Sequence, residues 1–113
     1  MNSLKNRVNL IGNLGADPEI FNLKDDRRKS SFTVATTESY KKDNGEKVSE
    51  TQWHNIIAWG GIVTIVEKYL KKGSRIAVEG KLTSRAYDDK DGNKKYITEV
   101  VIHEILMLDP AKN

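Results

Sequence analysis

Apolar and polar residues alternate along most of this chain, and the points where the alternation fails mark its turns. In residues 7–14, Val8, Leu10, Gly12 and Leu14 share one parity, while Arg7, Asn9, Ile11 and Asn13 take the other. A two-residue period is that of a strand with one face on a core. Gly12 and Gly15 predict a bulge, a bend or a close backbone approach there. Asp17-Pro18 marks a turn. Glu19 to Leu23 is able to resume pairing, and the charged run from Lys24 to Lys29 reads as a solvated loop. A second strand spans Ser30 to Tyr40, with Phe32, Val34 and Thr36 on the parity of Glu38 and Tyr40. Within the polar segment Lys41 to Lys47, Asn44-Gly45 is the strongest short hairpin signal. A third strand follows from Val48 to Trp59 and ends at Gly60-Gly61.

The period then changes. Ile62, Val66, Tyr69 and Leu70 fall on one helical face, with Glu67, Lys68, Lys71 and Lys72 polar, which predicts a helix over 62–72 stopped at Gly73. Alternation resumes from Ser74 to Leu82, a second long hairpin loop from Asp88 to Lys95 carries Asp91-Gly92, and a last strand runs from Tyr96 to Leu108. In that strand both parities are apolar, which asks for cover on both faces, as another subunit would give. Three strands, one helix and two strands form the layout of an all-β, five-stranded Greek-key barrel of the OB type, with one helix between strands 3 and 4. No repeat or linker divides it, so residues 1–108 are expected to form one domain. The tail 109–113 carries no pattern and is expected to be disordered.

At 113 residues there is room for a single domain. Nineteen Lys and Arg against 16 Asp and Glu give a net charge of +3, and the pI near 9.1 permits a nucleic-acid or other anionic partner. The absence of Cys excludes disulfides, thiolate metal sites and Cys nucleophiles. The N-terminus lacks the apolar core of a signal peptide, and the most apolar stretch, Ile56 to Val66, is broken by Gly60, Gly61 and Thr64. A soluble, cytoplasmic protein without membrane contact is expected.

Enzymatic chemistry finds little support. His54 and His103 lie on different predicted strands without metal-ligand spacing, and half-buried strand residues are the plainer reading of both. No phosphate-loop motif occurs. Placing Gly92 at the sixth position of a calcium loop puts Tyr87 first and Thr98 twelfth, where carboxylates are required. No metal and no cofactor is expected. The rings and cations say more. Trp53 and Trp59 share parity on one strand, Tyr40 precedes Lys41 and Lys42, and Tyr87 follows Arg85. Interleaved rings and cations suit single-stranded nucleic acid, whose bases offer faces for stacking and whose backbone needs positive charge. The pattern alone favours core packing for the two tryptophans, since large aromatics are mostly buried in small barrels.

The segments N-R-V-N-L-I-G-N-L-G-A-D-P-E (6–19), V-A-T-T-E-S-Y (34–40), T-Q-W-H-N (51–55), Y-L-K-K-G-S (69–74), V-E-G-K-L (78–82) and Y-I-T-E-V-V (96–101) closely resemble the bacterial single-stranded DNA-binding proteins. Six colinear blocks across residues 4–108 are far more specific than any one motif. The resemblance implies an OB-fold homotetramer that wraps single-stranded DNA without sequence preference in replication, recombination and repair, associated with the nucleoid. It implies stacking by Tyr40, Trp53, Trp59 and Tyr87, phosphate contacts by Arg7, Lys41, Lys72 and Arg85 with Lys42 beside them, and a subunit interface at His54. Tyr40 and Tyr87 stand where members often carry Trp, and Asn55, Gly61, Thr83 and Ala86 where some carry cations; Lys47, Lys94 and Lys95 are placed to compensate. The stretch to Asn113 shows neither the flexible linker nor the acidic tip through which members recruit replication and repair proteins, so such partners are left open. Two other readings fit the same fold: a protein-interaction module such as a primosome accessory protein, and an RNA-binding OB domain.

Overall fold

The computed structural model describes residues 5–108. Strands β1 (Val8–Leu14), β2 (Glu19–Asn22), β3 (Arg28–Lys41), β4 (Lys47–Trp59), β5 (Arg75–Asp88) and β6 (Lys94–Met107) accompany one helix, α1 (Gly61–Tyr69). The strands lie in the order β1-β5-β6-β4-β3-β2. Because β1 also pairs with β3, at Asn13–Ala35 and Leu14–Val34, five strands close into a barrel and the short β2 is added beside β3. Only β4 and β6 run parallel. This is the Greek-key barrel that the element order predicts.

Closure draws β1 and β3 together at a glycine. A Cβ on Gly12 would run into the Ala35 carbonyl, so the close approach expected in β1 falls on the barrel seam. One parity of each strand fills the interior, including Leu14, Val34, Ile56, Ile76 and Val100, and α1 closes one end with Val63 and Val66. Each such side chain contributes about 1.5–3 kcal/mol on full burial.

Three local expectations change. The helix ends at Tyr69, before Gly73, because Leu70 turns extended (φ −96°, ψ 141°) and buries its side chain. Gly73 instead sits in the following turn, where the Ser74 hydroxyl accepts the Lys71 N–H at 3.0 Å. On the helix it is Val63 that faces inward, while Tyr69 is exposed. The run 24–29 is not all loop: Lys24–Asp26 forms one 3-10 turn with Asp25 and Asp26 in the left-handed region (φ 65° and 60°), and Arg28 and Lys29 already belong to β3.

The two apolar parities of β6 have a local cause. A bulge opposite Glu79/Gly80 leaves His103 unpaired and shifts the inward parity, so Val100 and Ile102 pack inside before it and Ile105 packs against the core after it. Leu106 is left 63% exposed on the outside. The β3–β4 and β5–β6 hairpins are long, and the radius of gyration of 16.4 Å exceeds the ~13 Å expected for a compact chain of this size. Their turns hold the two predicted dipeptides, with Gly45 and Gly92 bonding back to Lys42 and Asp89. The tail 109–113 lies outside the described residues.

Candidate nucleic-acid interface

Strand register decides which side chains share a face. Trp53 pairs with Ala35, Trp59 with Lys29, and Asn55 with both Thr33 and Glu99. Glu99 pairs in turn with Thr83, and from there the same parity carries Arg85 opposite Ile97 and Tyr87 opposite Lys95. Trp53, Trp59, Arg85, Tyr87 and Lys95 therefore leave the barrel on one continuous outer face. The rings are 61% (Trp53), 40% (Trp59) and 45% (Tyr87) exposed, which rules out core packing for them. Six residues of one strand separate the tryptophans by about 20 Å.

Tyr40 behaves differently. It shares parity with the buried Phe32 and Val34, so on the β3–β4 arm it leaves the side opposite Trp53. It is 48% exposed, and its hydroxyl donates to Glu50 Oε1 at 3.2 Å.

Trp53 reaches back to the end of β1 with the far edge of its ring. A Cβ on Gly15 would overlap the far edge of its indole, so glycine leaves the ring room to rest against the end of β1. Trp59 is bracketed by cations: the Arg27 guanidinium lies 5.8 Å and the Lys29 ammonium 5.6 Å from its centroid.

The expected phosphate ligands divide into two groups. Lys41, Lys42 and Lys72 are exposed, and no ion pair engages them among the described residues. Lys41 lies directly across the hairpin from Lys47 on the Trp53 side. Like charges in that position repel each other, and an anionic partner relieves the repulsion. Lys72 adjoins Gly73, whose carbonyl accepts a 3.1 Å bond from Asn13 in the row Asn13–Ala35–Trp53.

The two arginines are already engaged. Arg85 grips Glu99 with Nε and Nη2 at 3.0 and 3.3 Å. That carboxylate is almost fully buried on the ring-bearing face, and its charge raises the guanidinium pKa above the ordinary value through the hydrogen bonds first and the Coulombic attraction second. Arg85 so neutralises the buried Glu99 carboxylate on this face, and its remaining N–H groups stay available for a phosphate. Arg7 stands on the β1–β5 wall, apart from the rings, with Nη2 and Nε on Glu79 Oε2 at 2.7 and 3.0 Å.

His54 accepts or donates a 2.9 Å hydrogen bond with the Thr36 hydroxyl and is half-buried. His103, freed by the bulge, reaches Glu79 Oε1 at 2.9 Å. Glu79 is held below the ordinary carboxylate pKa, first by that bond and then by Arg7. Cross-strand pairing also brings Glu104 to this pair, with ligand atoms of the three side chains within 4.8 Å of one another, a grouping that sequence spacing does not reveal. Nor does the sequence pattern mark Gly15 and Glu99 as parts of the site. Gly15 offers a signal, a glycine beside a strand end, but its partner is 38 positions away.

Comparison with known proteins now bears on this surface. Residues 5–108 match the single-strand binding protein family. The chain is 49% identical over 104 residues to single-stranded DNA-binding protein 1 of Xylella fastidiosa, covering 91% of this chain and 76% of that one. It is 44% identical to single-stranded DNA-binding protein 1 of Chlorobaculum tepidum (91% and 64% covered) and 41% identical to the single-stranded DNA-binding protein of Rhizobium meliloti (86% and 57%). The chain thus spans about three quarters of the first relative and under two thirds of the other two. Among solved structures, the Plasmodium falciparum SSB complex with ssDNA superposes with a TM-score of 0.86 at 34% identity, covering 96% and 98% of the two chains. A deletion mutant of the Thermus aquaticus single-stranded DNA binding protein gives 0.78 at 28%, covering 92% and 50%. With its OB barrel and a match along nearly the whole described chain, this protein belongs to the single-strand binding protein family.

Proposed function

We propose that this protein binds single-stranded DNA without sequence preference and shields it during replication, recombination and repair, catalysing no step itself. The observation that carries the reading is the single outer face bearing Trp53, Trp59 and Tyr87, half-exposed and interleaved with Arg85, Lys95 and Lys41. Unpaired bases stack on such rings, while the cations hold the backbone. A duplex hides its base faces, so the surface selects strand state and is indifferent to base identity. Lys42 and Lys72 extend the positive margin. Arg7 joins it only by giving up part of its bond to Glu79, and Tyr40 meets DNA where a strand crosses to the other side of the β3–β4 arm.

The corresponding test is competition. A labelled oligo-dT should be displaced by unlabelled oligo-dA or oligo-dC at similar concentrations and by a hairpin duplex only at far higher ones. Equal displacement by the duplex would reduce the surface to a generic polyanion site.

The same reading includes a homotetramer. Its support is an uncovered apolar row on the far wall, Ile11–Ala77–Leu106, aligned by strand register and lining a shallow cleft of about 260 Å³, with Ile11 55% exposed. A second copy is the occupant that would cover it. His54 is assigned to subunit contact rather than DNA. His54→Ala should therefore lower the mass seen by light scattering while leaving oligo-dT affinity per subunit nearly unchanged; an unaltered mass would remove the histidine from the interface. The site of action is cytoplasmic, on the nucleoid, and no helix among the described residues is long and apolar enough to cross a membrane.

A further inference from the structure

We propose that the row Phe21–Lys29–Trp59, beside the cleft between the 24–26 turn and the start of α1, is a second nucleotide-binding station, in which bases stack on Trp59 and Phe21 while Arg27 and Lys29 hold the flanking phosphates. This rests on the single-stranded DNA reading and adds residues outside the expected set. Three strands build the station. Phe21 on β2 pairs with Lys29 on β3, and Lys29 pairs with Trp59 on β4, so ring, cation and ring stand in one row on one face. The Lys29 ammonium lies 6.0 Å from the Phe21 centroid and 5.6 Å from that of Trp59, and Arg27 approaches Trp59 from the loop.

Neighbouring positions in this run have separate duties. Arg28 points the other way and fastens the segment: Nη2 donates to Glu67 on α1 at 2.6 Å, Nε to Asn22 on β2 at 3.2 Å, and its carbonyl accepts the Gly60 N–H at 3.1 Å. With Arg28 anchored, Arg27 and Lys29 remain over the ring, and neither has a carboxylate partner among the described residues. In the free protein their partner is the π-face of Trp59. A stacking base takes over that face and releases both cations to its phosphates.

The cleft has the room. It measures about 510 Å³, within the range of small-molecule sites, and is lined by Asp26, Arg27, Arg28, Trp59, Gly60, Gly61 and Thr64, so it adjoins the Phe21–Lys29–Trp59 row at the Trp59 end. Gly60 and Gly61 put no side chain in front of the indole, and neither would meet another atom if a Cβ were added, so the mouth is open. The station lies about 20 Å along β4 from Trp53. A bound strand would thus touch two stacking centres on one subunit, joined by the outer face.

The experiment uses the full chain and oligo-dT carrying 5-iodouracil at successive positions, cross-linked by light, with adducts located by fragment-ion sequencing. Adducts are expected at Phe21 and Trp59 as well as at Trp53. In parallel, the Arg27→Ser/Lys29→Ser variant should keep the wild-type melting temperature and lose two phosphate contacts. Its salt slope should then be shallower by about 1.4, and the affinity advantage of wild type should shrink about sevenfold between 50 and 200 mM salt. Phe21→Leu, which keeps the apolar contact and loses the ring, should abolish the Phe21 adduct and weaken binding with an unchanged melting temperature. Adducts at Trp53, Trp59 and Tyr87 but none at Phe21, with an unchanged salt slope in the double variant, would overturn the station and leave the wider reading standing. Failure of wild type to bind or cross-link oligo-dT at all would overturn both.

Discussion

Replacing Trp53 and Trp59 together by alanine should weaken oligo-dT binding by about 2–6 kcal/mol, since each base–ring stack is worth about 1–3 kcal/mol. In equilibrium terms that is roughly 30-fold to more than 10⁴-fold. The rings stand about 20 Å apart on β4, far enough for their effects to add. The fold should survive, because neither indole belongs to the buried cluster of Val34, Ile56, Val63 and their neighbours. Isothermal titration of the variant against wild type, alongside thermal melts, separates the two roles. A fall in melting temperature matching the loss of affinity would mark the rings as structural.

The second large effect is ionic. About four phosphates neutralised per subunit, as Lys41, Lys42, Lys72 and Arg85 would allow, give a slope of log K against log salt near −3 for single strands, or about a thousandfold loss per tenfold rise in salt. Engagement of Arg27 and Lys29 as well steepens it to about −4. Arg7 and Arg85 bear on the number in opposite ways. Arg85 is needed to neutralise the buried Glu99 whether or not DNA is present, yet it keeps donors to spare. Arg7 spends its Nε and one terminal nitrogen on Glu79. Arg7→Ala should accordingly change the slope less than Lys41→Ala does. A slope near zero, measured by anisotropy from 50 to 500 mM salt, would remove the electrostatic half of the account.

Much of the barrel was legible in the chain because alternation records burial directly: the parity of Val8, Leu10 and Leu14, of Phe32 and Val34, and of Ile76 and Val78 is the inward parity of the structure. Local chemistry also placed both hairpin turns. Features that depend on distant pairing were hidden. The helix stops early because Leu70 is wanted in the core, and nothing in residues 62–72 announces that. The doubly apolar β6 looked as if it needed two covers, whereas part of the effect is a bulge that changes which parity faces inward.

For the site, the shared parity of Trp53 and Trp59 predicted their common face, but their exposure could not be read from pattern, since buried and stacked rings look alike in a sequence. Tyr40 carries its own warning: it sits on the parity of Phe32 and Val34, and the structure sends it to the opposite side of the arm from Trp53. The run 24–29 looked like solvated charge because its alternation is between two roles for cations, with Arg28 fastening the segment and Arg27 and Lys29 facing a ring that lies 30 residues further along.

The central claim is that unpaired bases lie directly on the outward indoles, and intrinsic tryptophan fluorescence reads that contact. Titration of wild-type protein with oligo-dT should give deep, saturable quenching that tracks the binding curve from anisotropy and reverses on adding salt. Full binding by anisotropy with tryptophan emission unchanged would contradict the account, because DNA would then be held somewhere other than Trp53 and Trp59.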